Sequence, residues 1–358
     1  MSVISVIMLA FAMLGALDRI CGNKLGLGEE FERGFNLLGP MALSMIGMIC
    51  LAPVIADLLQ PCFDGFYKLL KMDPAIIPAS LFANDMGGDS LARQIMKVEK
   101  VGMLHALVTS SMMGCTISFT IPYALGVVKK ECFRELFLGM LCGIVAMPVG
   151  CFAAGLVIGI PVLMLLYNLL PLLLFSGVLA VGLLAAPKLM VKLFSVLGVL
   201  MRVMITAGLA LAVFQDLTKI VILPNLASVW EGADICFRAA MTLCGAFPFM
   251  FVVSKLLKKP LERLGKLLGV NDTAAMGFIS SLVSNAPTME MMDRMDKKGV
   301  VLNAAFMVTG AFIFGAHLAY TTSIDGSFVL PMMVAKTVAG ISAILVALFI
   351  YKRTSQEN

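Results

Sequence analysis

Two stretches of this chain share one pattern although they lie 201 residues apart. Residues 80–93 read SLFANDMGGDSLAR, and residues 281–294 read SLVSNAPTMEMMDR. A shift of 201 superposes identical residues at four positions and places Asp89 opposite Glu290. Irregular backbone at membrane depth is tolerated only where protein or a watery cavity satisfies its polar groups. In a chain this apolar, a matched pair of short, polar, Gly/Pro-interrupted segments therefore predicts the substrate site of a transporter.

The composition indicates a membrane protein built from helices. Of the 358 residues, 60% are hydrophobic and 14% are charged, and the mean hydropathy is +0.98. Several windows carry roughly 20 apolar residues, the length of helix that crosses a ~30 Å hydrocarbon core. A membrane β-barrel would instead show alternating segments of ~10 residues. The expected fold class is therefore all-α and polytopic, with the lipid bilayer as its partner.

Charge and cysteine content exclude several other classes. The net charge of +5 does not indicate nucleic-acid binding, because the basic residues punctuate apolar spans and form no separate basic domain. The nine cysteines form no CxxC pair and mostly lie in apolar runs. They are typical of small buried hydrophobes, so neither a metal site nor a cofactor is expected. The first apolar run lacks a basic leader and a cleavage site, and we interpret it as a retained helix.

The apolar runs predict nine full spans and two re-entrant hairpins. The hairpins cover residues 75–96 and 274–294, after the second and the seventh span. The predicted spans are residues 2–17, 35–60, 101–127, 133–158, 162–186, 193–217, 237–257, 300–323 and 328–351.

The similarity extends beyond the hairpins and predicts an inverted duplication. A shift of 200 aligns the first span with the sixth, and a shift near 198 aligns residues 68–70 with 266–268. The predicted organisation is repeat one over 1–160, a connecting span over 161–190, and repeat two over 191–358. Five crossings precede the second copy, so it enters the membrane upside down, as in many secondary transporters.

The basic residues predict the orientation of this arrangement. Cytoplasmic loops carry an excess of Lys and Arg. One predicted face collects 18 of them, and that face is assigned to the cytoplasm, with the N-terminus outside and the C-terminus inside. Its members are Arg19, Lys24, Arg33, Lys129, Lys130, Arg134, Lys188, Lys192, Lys255, Lys258, Lys259, Arg263, Lys266, Arg294, Lys297, Lys298, Lys352 and Arg353. The opposite face collects 7, namely Lys68, Lys71, Arg93, Lys97, Lys100, Lys219 and Arg238.

The first hairpin supplies five candidate substrate-binding residues: Asn84, Asp85, Gly87, Gly88 and Asp89. A carboxylate in an apolar segment is costly unless it has a cationic partner or a wet cavity. Asp85 is predicted to supply negative charge for a cation, with a helix cap or an ion pair as the alternative. For Asp89 an ion pair with Arg93 is equally compatible with the sequence. The two glycines allow the backbone to turn and to approach closely, and the Asn84 amide can donate and accept.

The second hairpin supplies four more candidates: Asn285, Pro287, Thr288 and Glu290. Asn285 repeats the amide of the first hairpin. Pro287 is predicted to interrupt the helix at the tip and to free backbone carbonyls. Glu290 either contacts substrate or pairs with Arg294.

Two further ionisable residues lie inside predicted spans. His317 lies in the span after the second hairpin and is the last candidate, with simple packing as its alternative. Lys336 lies in the ninth span and must face protein or extend to the interface; the sequence assigns it no role. No catalytic residue is predicted.

Six motifs together resemble the ethanolamine permease family of ethanolamine-utilisation gene clusters. They are ALDRI at 16–20, LFANDMGG at 81–88, SMMG at 111–114 with Ile121-Pro122, NAPT at 285–288, KGVVLN at 298–303 and FGAHL at 314–318. The resemblance covers essentially the whole chain. It implies a bacterial inner-membrane protein that brings ethanolamine to cytoplasmic ammonia-lyase chemistry.

The expected function is facilitated diffusion of ethanolamine into the cytoplasm by alternating access. The chain lacks a G-x-x-x-x-G-K-[ST] loop, so no ATP-driven pump motif supports another mode. Two alternatives stay open at this point. One is a sodium- or proton-coupled symporter for another small amine or polar metabolite, and the other is an intramembrane enzyme using Asp85, Asp89 or His317. A homo-oligomer is also compatible with the sequence.

Overall fold

The protein folds into helices joined by short connections. The structure, a computed structural model, describes the backbone of residues 3–354 and the side chains of residues 4–256, 260, 263 and 265–353. The terminal residues of the predicted repeats, 1–2 and 355–358, lie outside the described residues.

The first half runs from α1 to α9. These helices are α1 (Val3–Ile20), α2 (Leu27–Asn36), α3 (Leu38–Leu70), α4 (Ile76–Leu81), α5 (Gly88–Ile95), α6 (Glu99–Met103), α7 (Ile121–Val127), α8 (Phe133–Ile158) and α9 (Val162–Ala185). Between α6 and α7 the chain forms wider π-helical turns over Leu104–Gly114 and Thr116–Thr120. The second half comprises α10 (Pro187–Thr218), α11 (Val229–Leu268), α12 (Asp272–Val283), α13 (Asn285–Glu290), α14 (Lys297–Met307), α15 (Ala316–Ile324) and α16 (Val329–Thr354).

Among the described residues, seven helical segments are long and apolar enough to cross a membrane, so the chain is a polytopic membrane protein. They are Leu27–Leu70, Glu99–Val127, Lys130–Ile158, Val162–Ala185, Pro187–Thr218, Val229–Leu256 and Gly326–Arg353. Each coincides with one predicted span. The two other predicted spans, 2–17 and 300–323, correspond to α1 and to the pair α14–α15.

The predicted span over 300–323 was wrong in one respect, because it is not a continuous helix. The helix stops at Met307 and resumes at Ala316. Gly310 and Gly315 lie in the interruption, and Phe312 there has φ 60°, a conformation that L-residues rarely adopt. Glycine lowers helix propensity, which explains why an apolar stretch can unwind here.

Each of the two broken segments is closed at its base by hydrogen bonds. The Asp73 carboxylate accepts backbone N–H groups from Ala75 at 3.0 Å and from Lys97 and Val98 at 2.9 and 2.7 Å. At the other segment, the Asp296 carboxylate accepts the Asn271 backbone N–H at 2.8 Å. The chain therefore leaves each segment close to where it entered.

The early helices of each half pack against the other half. α1 packs on α11, and α3 packs on α10. Both crossings are close at a glycine, since a Cβ on Gly47 would overlap the Ile205 carbonyl oxygen and one on Gly245 would overlap that of Met8. α8 packs along α14 and α16. These contacts enclose the two broken segments and the interrupted helices.

Candidate functional site

The tip of the first broken segment is a tight turn without regular helix. α4 ends at Leu81, one 3-10 turn covers Asn84–Met86, and α5 begins at Gly88. Gly87 has φ 99°, a conformation that favours glycine. A Cβ on Gly88 would overlap the Phe82 carbonyl oxygen. Gly87 thus provides the turn, and Gly88 allows the close approach of the backbone.

Two polar side chains at this tip lack the partners that burial normally requires. Asn84 is 0% exposed, and neither its amide nitrogen nor its amide oxygen has a hydrogen-bond partner among the described residues. Asp85 is half-buried, and no described Lys, Arg or His side chain lies within 4.0 Å as an ion-pair partner. Because unpaired buried polar groups are costly, this arrangement is typical of a site for a polar ligand or water.

Asp89 is in a different environment, because both of its carboxylate oxygens have protein partners. Arg93 Nε lies 2.9 Å from both carboxylate oxygens, and Arg93 Nη2 lies 2.9 Å from Oδ2. Tyr320 donates its hydroxyl to Oδ2 at 3.0 Å. The ion-pair alternative for Asp89 is therefore the one that the structure has.

The second broken segment has one buried amide and two exposed residues. Asn285 is 0% exposed and donates Nδ2 to the Met307 carbonyl oxygen at 3.0 Å and to Thr120 Oγ1 at 3.3 Å, while its Oδ1 has no partner among the described residues. Thr288 bonds to Ser281 Oγ at 2.9 Å and to the Gly277 carbonyl oxygen at 3.0 Å, which ties α13 to α12.

Pro287 and Glu290 lie on the exposed side of this segment. The helix break falls at Ser284, whose backbone is extended, and not at Pro287 as expected from the sequence. Pro287 instead lies in the first turn of α13, where a missing N–H costs nothing. Glu290 accepts a hydrogen bond from Tyr123 at 3.2 Å and is not paired with Arg294.

The exit from this segment is fixed by an ion pair outside the apolar spans. Lys129 Nζ lies 2.6 Å from Asp293 Oδ2. The hydrogen bond from the Lys129 ammonium holds the pKa of the Asp293 carboxyl below its usual value. This contact joins the loop before α8 to the second broken segment.

The interruption between α14 and α15 uses the carbonyls that α12 leaves free. The backbone N–H groups of Phe312 and Phe314 donate to the carbonyl oxygens of Ser281 and Leu282, both at 2.9 Å. On the first side, Ala83 donates its backbone N–H to Ser118 Oγ at 3.0 Å, within the π-helical turns. Each segment tip is thus bonded to the interrupted helix that follows it.

His317 follows the second broken segment in the sequence, but it also lies close to the tip of the first. Its helix, α15, packs against the Asn84–Met86 turn. His317 is 2% exposed, and its Nδ1 has no partner among the described residues. Its ring lies 4.7 Å from the Phe312 ring, which is 5.9 Å from that of Phe119. An aromatic wall therefore runs beside the polar groups.

Lys336, to which the sequence assigned no role, is a buried cation near the first tip. It is 1% exposed, and its ammonium donates to the carbonyl oxygens of Ser111 at 2.8 Å and Ala311 at 2.9 Å. These carbonyls belong to the π-helical turns and to the unwound stretch, respectively. The Asn84–Met86 turn, which carries Asp85, packs against the Leu104–Gly114 turns, which carry Ser111. A lysine inside an apolar span was the available sequence signal.

A cavity of about 670 Å³ reaches this region and is open to the exterior. Met86 of the first tip lines it together with Phe119 and Tyr123, between α3 and α10. A smaller cavity of about 270 Å³ lies between α1, α11 and α15. Among the residues that the structure describes, no three His, Cys, Asp or Glu side chains cluster as a metal site requires.

These features define a class: a polytopic helical membrane protein with a carboxylate and two buried amides at broken segments inside it. The chain belongs to the family described as "Ethanolamine utilisation protein, EutH", whose family model matches residues 1–350. No solved structure matches it.

Curated relatives agree with this membership over nearly the full length. The chain is 40% identical to "Probable ethanolamine permease EutH" of Listeria monocytogenes over 356 residues, covering 99% of this chain and 95% of the relative. It is 34% identical to a protein of the same name in Salmonella typhimurium, covering 97% and 95%. It is also 37% identical to "Uncharacterized protein YxeR" of Bacillus subtilis, covering 94% and 91%.

Proposed function

We propose that this protein carries ethanolamine across the cytoplasmic membrane into the cell, by facilitated diffusion with alternating access. The observation that supports this most directly is the Asp85 carboxylate, which has no ion-pair partner within 4.0 Å among the described residues, beside the unpaired Asn84 amide at a broken segment inside an apolar bundle. The printed names of two relatives, which call them probable ethanolamine permeases, supply the substrate. A transporter needs a site of this kind, and we propose no enzymatic activity.

The chemistry of the site suits both ends of this substrate. Ethanolamine is mostly an ammonium at neutral pH, and it carries one hydroxyl. In the proposed complex, Asp85 receives the ammonium, and the Asn84 amide pairs with the hydroxyl by donating or accepting. Phe119 and Phe312, whose ring centroids lie 5.9 Å apart, are the aromatic side chains proposed to contact the cation. The Asn285 oxygen and His317 Nδ1 are further unpaired groups that can face the passing substrate.

Equivalent contacts in the two halves of the chain support the proposed inverted repeat, in which both broken segments are re-entrant hairpins. Asp18 accepts the backbone N–H groups of Leu27 and Gly28 at 2.9 and 3.0 Å at the start of α2. Asp216 accepts that of Val229 at 2.6 Å at the start of α11, the position that a shift near 200 relates to α2. The reciprocal packing of α1 on α11 and α3 on α10 also fits a pseudo-two-fold axis.

The two unequal cavities support alternating access within that arrangement. The same shift relates α10, α3 and α7, around the larger cavity, to α1, α11 and α15, around the smaller one. Under the proposed orientation, the larger cavity opens towards the cytoplasm and the smaller one towards the outside. The described conformation is then the inward-facing one. Exchange of roles between the two cavities would move the substrate.

The orientation rests on the distribution of basic residues, with the N-terminus outside and the C-terminus in the cytoplasm. The Lys129–Asp293 ion pair fits it, because both residues belong to the proposed cytoplasmic face. The outward side chains Leu163, Leu174 and Val178 of α9 are exposed and suit lipid contact; a homo-oligomer would cover part of this surface.

The membrane potential supplies a driving force without any coupled ion. A cation that moves inward gains ~2.3 kcal/mol per 100 mV of inside-negative potential. Consumption of ethanolamine in the cytoplasm adds to the gradient. Uniport is therefore the simplest mode that fits a cationic substrate.

The test is uptake of labelled ethanolamine into proteoliposomes, with and without an imposed inside-negative potential. We expect potential-driven uptake by the wild type and its loss in Asp85→Asn. Lys71→Gln is the matched control, because Lys71 is an exposed charged residue at the end of α3. Absence of wild-type uptake under every gradient would contradict the substrate, and full uptake by Asp85→Asn would contradict the site.

A further inference from the structure

One buried cation joins the π-helical turns of Ser111 to the unwound stretch between α14 and α15. The Lys336 ammonium lies 2.8 Å from the Ser111 carbonyl oxygen and 2.9 Å from that of Ala311. An ammonium has three donors, so one N–H is not used by these two acceptors. Ser111 lies in the π-helical turns after the first broken segment, and Ala311 lies in the unwound stretch after the second. The cation thus lies where the two halves meet.

The charge of Lys336 has one carboxylate to balance it. No described Asp or Glu lies within 4.0 Å of its nitrogen as an ion-pair partner, and Asp85 is the carboxylate on the turn that packs against the π-helical turns of Ser111. Buried charges persist only with compensation, so this separated pair forms one electrostatic unit.

We propose that Lys336 is the internal counter-cation of the carrier, which balances Asp85 whenever no substrate is bound. This rests on the proposed function, in which the substrate ammonium binds at Asp85. Lys336 and ethanolamine present the same chemical group, a primary ammonium. The empty site is then neutral, and the loaded site carries one extra positive charge.

The counter-cation affects the step in which the empty carrier returns to face the outside. A carrier with an uncompensated buried carboxylate returns slowly, or it must first bind another cation such as sodium or a proton. Lys336 removes that requirement. The loaded step alone then responds to the membrane potential, and uptake proceeds without sodium.

Two transport assays separate this role from a purely structural one. Net uptake into empty liposomes requires return of the empty carrier, whereas exchange against unlabelled internal ethanolamine does not. For Lys336→Met we expect net uptake to fall about tenfold or more, with exchange reduced less than about threefold. Wild-type uptake should be equal with and without sodium. Lys352→Met, the same substitution at the exposed end of α16, is the matched control and should change neither assay.

A double-mutant cycle on thermal stability tests the charge pairing independently of transport. If Lys336 balances Asp85, the pair Asp85→Asn and Lys336→Met should be non-additive, with the double variant melting higher than Lys336→Met alone. If Lys336→Met is too unstable for transport assays, the thermal midpoints still test whether Lys336 balances Asp85.

The outcomes distinguish the two proposals. No wild-type uptake or exchange contradicts the proposed function. Wild-type transport combined with equal loss of uptake and exchange in Lys336→Met, or with no loss in either, overturns the counter-cation. An additive cycle overturns it as well.

Discussion

Tyr320 donates its hydroxyl to Asp89 at 3.0 Å, and this bond joins the first broken segment to α15. Both residues are buried, and Arg93 completes the environment of the carboxylate. Asp89 is therefore a structural anion that fixes the segment, although it lies only four residues from the proposed cation site at Asp85.

This relationship predicts that Arg93→Met destabilises the fold rather than altering substrate affinity. Removal of one partner leaves a buried charge uncompensated, which costs about 3 kcal/mol, less the screening at the partly exposed Arg93. We expect a lower thermal midpoint in detergent and an unchanged KM of the remaining active protein. Arg238→Met is the matched control, because its ion pair with Asp234 is exposed. A changed KM at unchanged stability would contradict this role.

The unpaired Asn84 amide predicts a specificity effect. A site that hydrogen-bonds a substrate hydroxyl rejects the analogue that lacks it, because its polar groups then stay unpaired. Wild-type uptake should therefore favour ethanolamine over ethylamine, and Asn84→Ala should reduce that preference by about tenfold or more. Competition of each amine against labelled ethanolamine measures the ratio. An unaltered ratio would move hydroxyl recognition away from Asn84, and Asn285→Ala would be the next variant.

The positive φ of Gly87 predicts a strain effect at the same tip. Gly87→Ala should lower the stability by about 1–2 kcal/mol, because L-residues are disfavoured in this conformation. Gly39→Ala is the matched control: Gly39 is helical, and a Cβ there meets nothing within 4 Å. It should raise stability slightly, by roughly 0.5–1 kcal/mol. Thermal midpoints compare the two variants, and equal shifts would contradict the prediction.

Two exposed cysteines allow the orientation to be tested. Cys21 lies in the loop between α1 and α2, and Cys62 lies towards the far end of α3. With the N-terminus outside, an impermeant thiol reagent on intact cells should label Cys62 and spare Cys21 until the membrane is opened. Variants that retain only one of the two provide the comparison. The reverse pattern would invert the orientation.

Hydropathy predicted seven of the spans because length and apolar content alone define them. It missed the interruption between α14 and α15, since residues 300–323 read as one apolar run and only Gly310 and Gly315 mark the break. The sequence predicted the helix break of the second segment at Pro287, but the residue with an extended backbone is Ser284.

Long-range contacts explain what the sequence left open at the site. The role of Asp89 depends on Tyr320, which is 231 residues away. The carbonyl partners of Lys336 lie 225 and 25 residues before it, on two different elements. A single sequence shows that a lysine lies inside an apolar span, but it does not show which backbone carbonyls that lysine will contact.

The packing of α1 on α11 has a consequence for biosynthesis. More than 200 residues separate the close crossing of Met8 and Gly245. At a synthesis rate of ~5–20 residues per second, tens of seconds pass between the emergence of α1 and that of α11. α2 also packs on α1 and follows it at once, so one face of α1 is covered early. The face that Gly245 contacts waits for α11, and a nascent chain halted before α11 would hold the α1–α2 pair with that face uncovered.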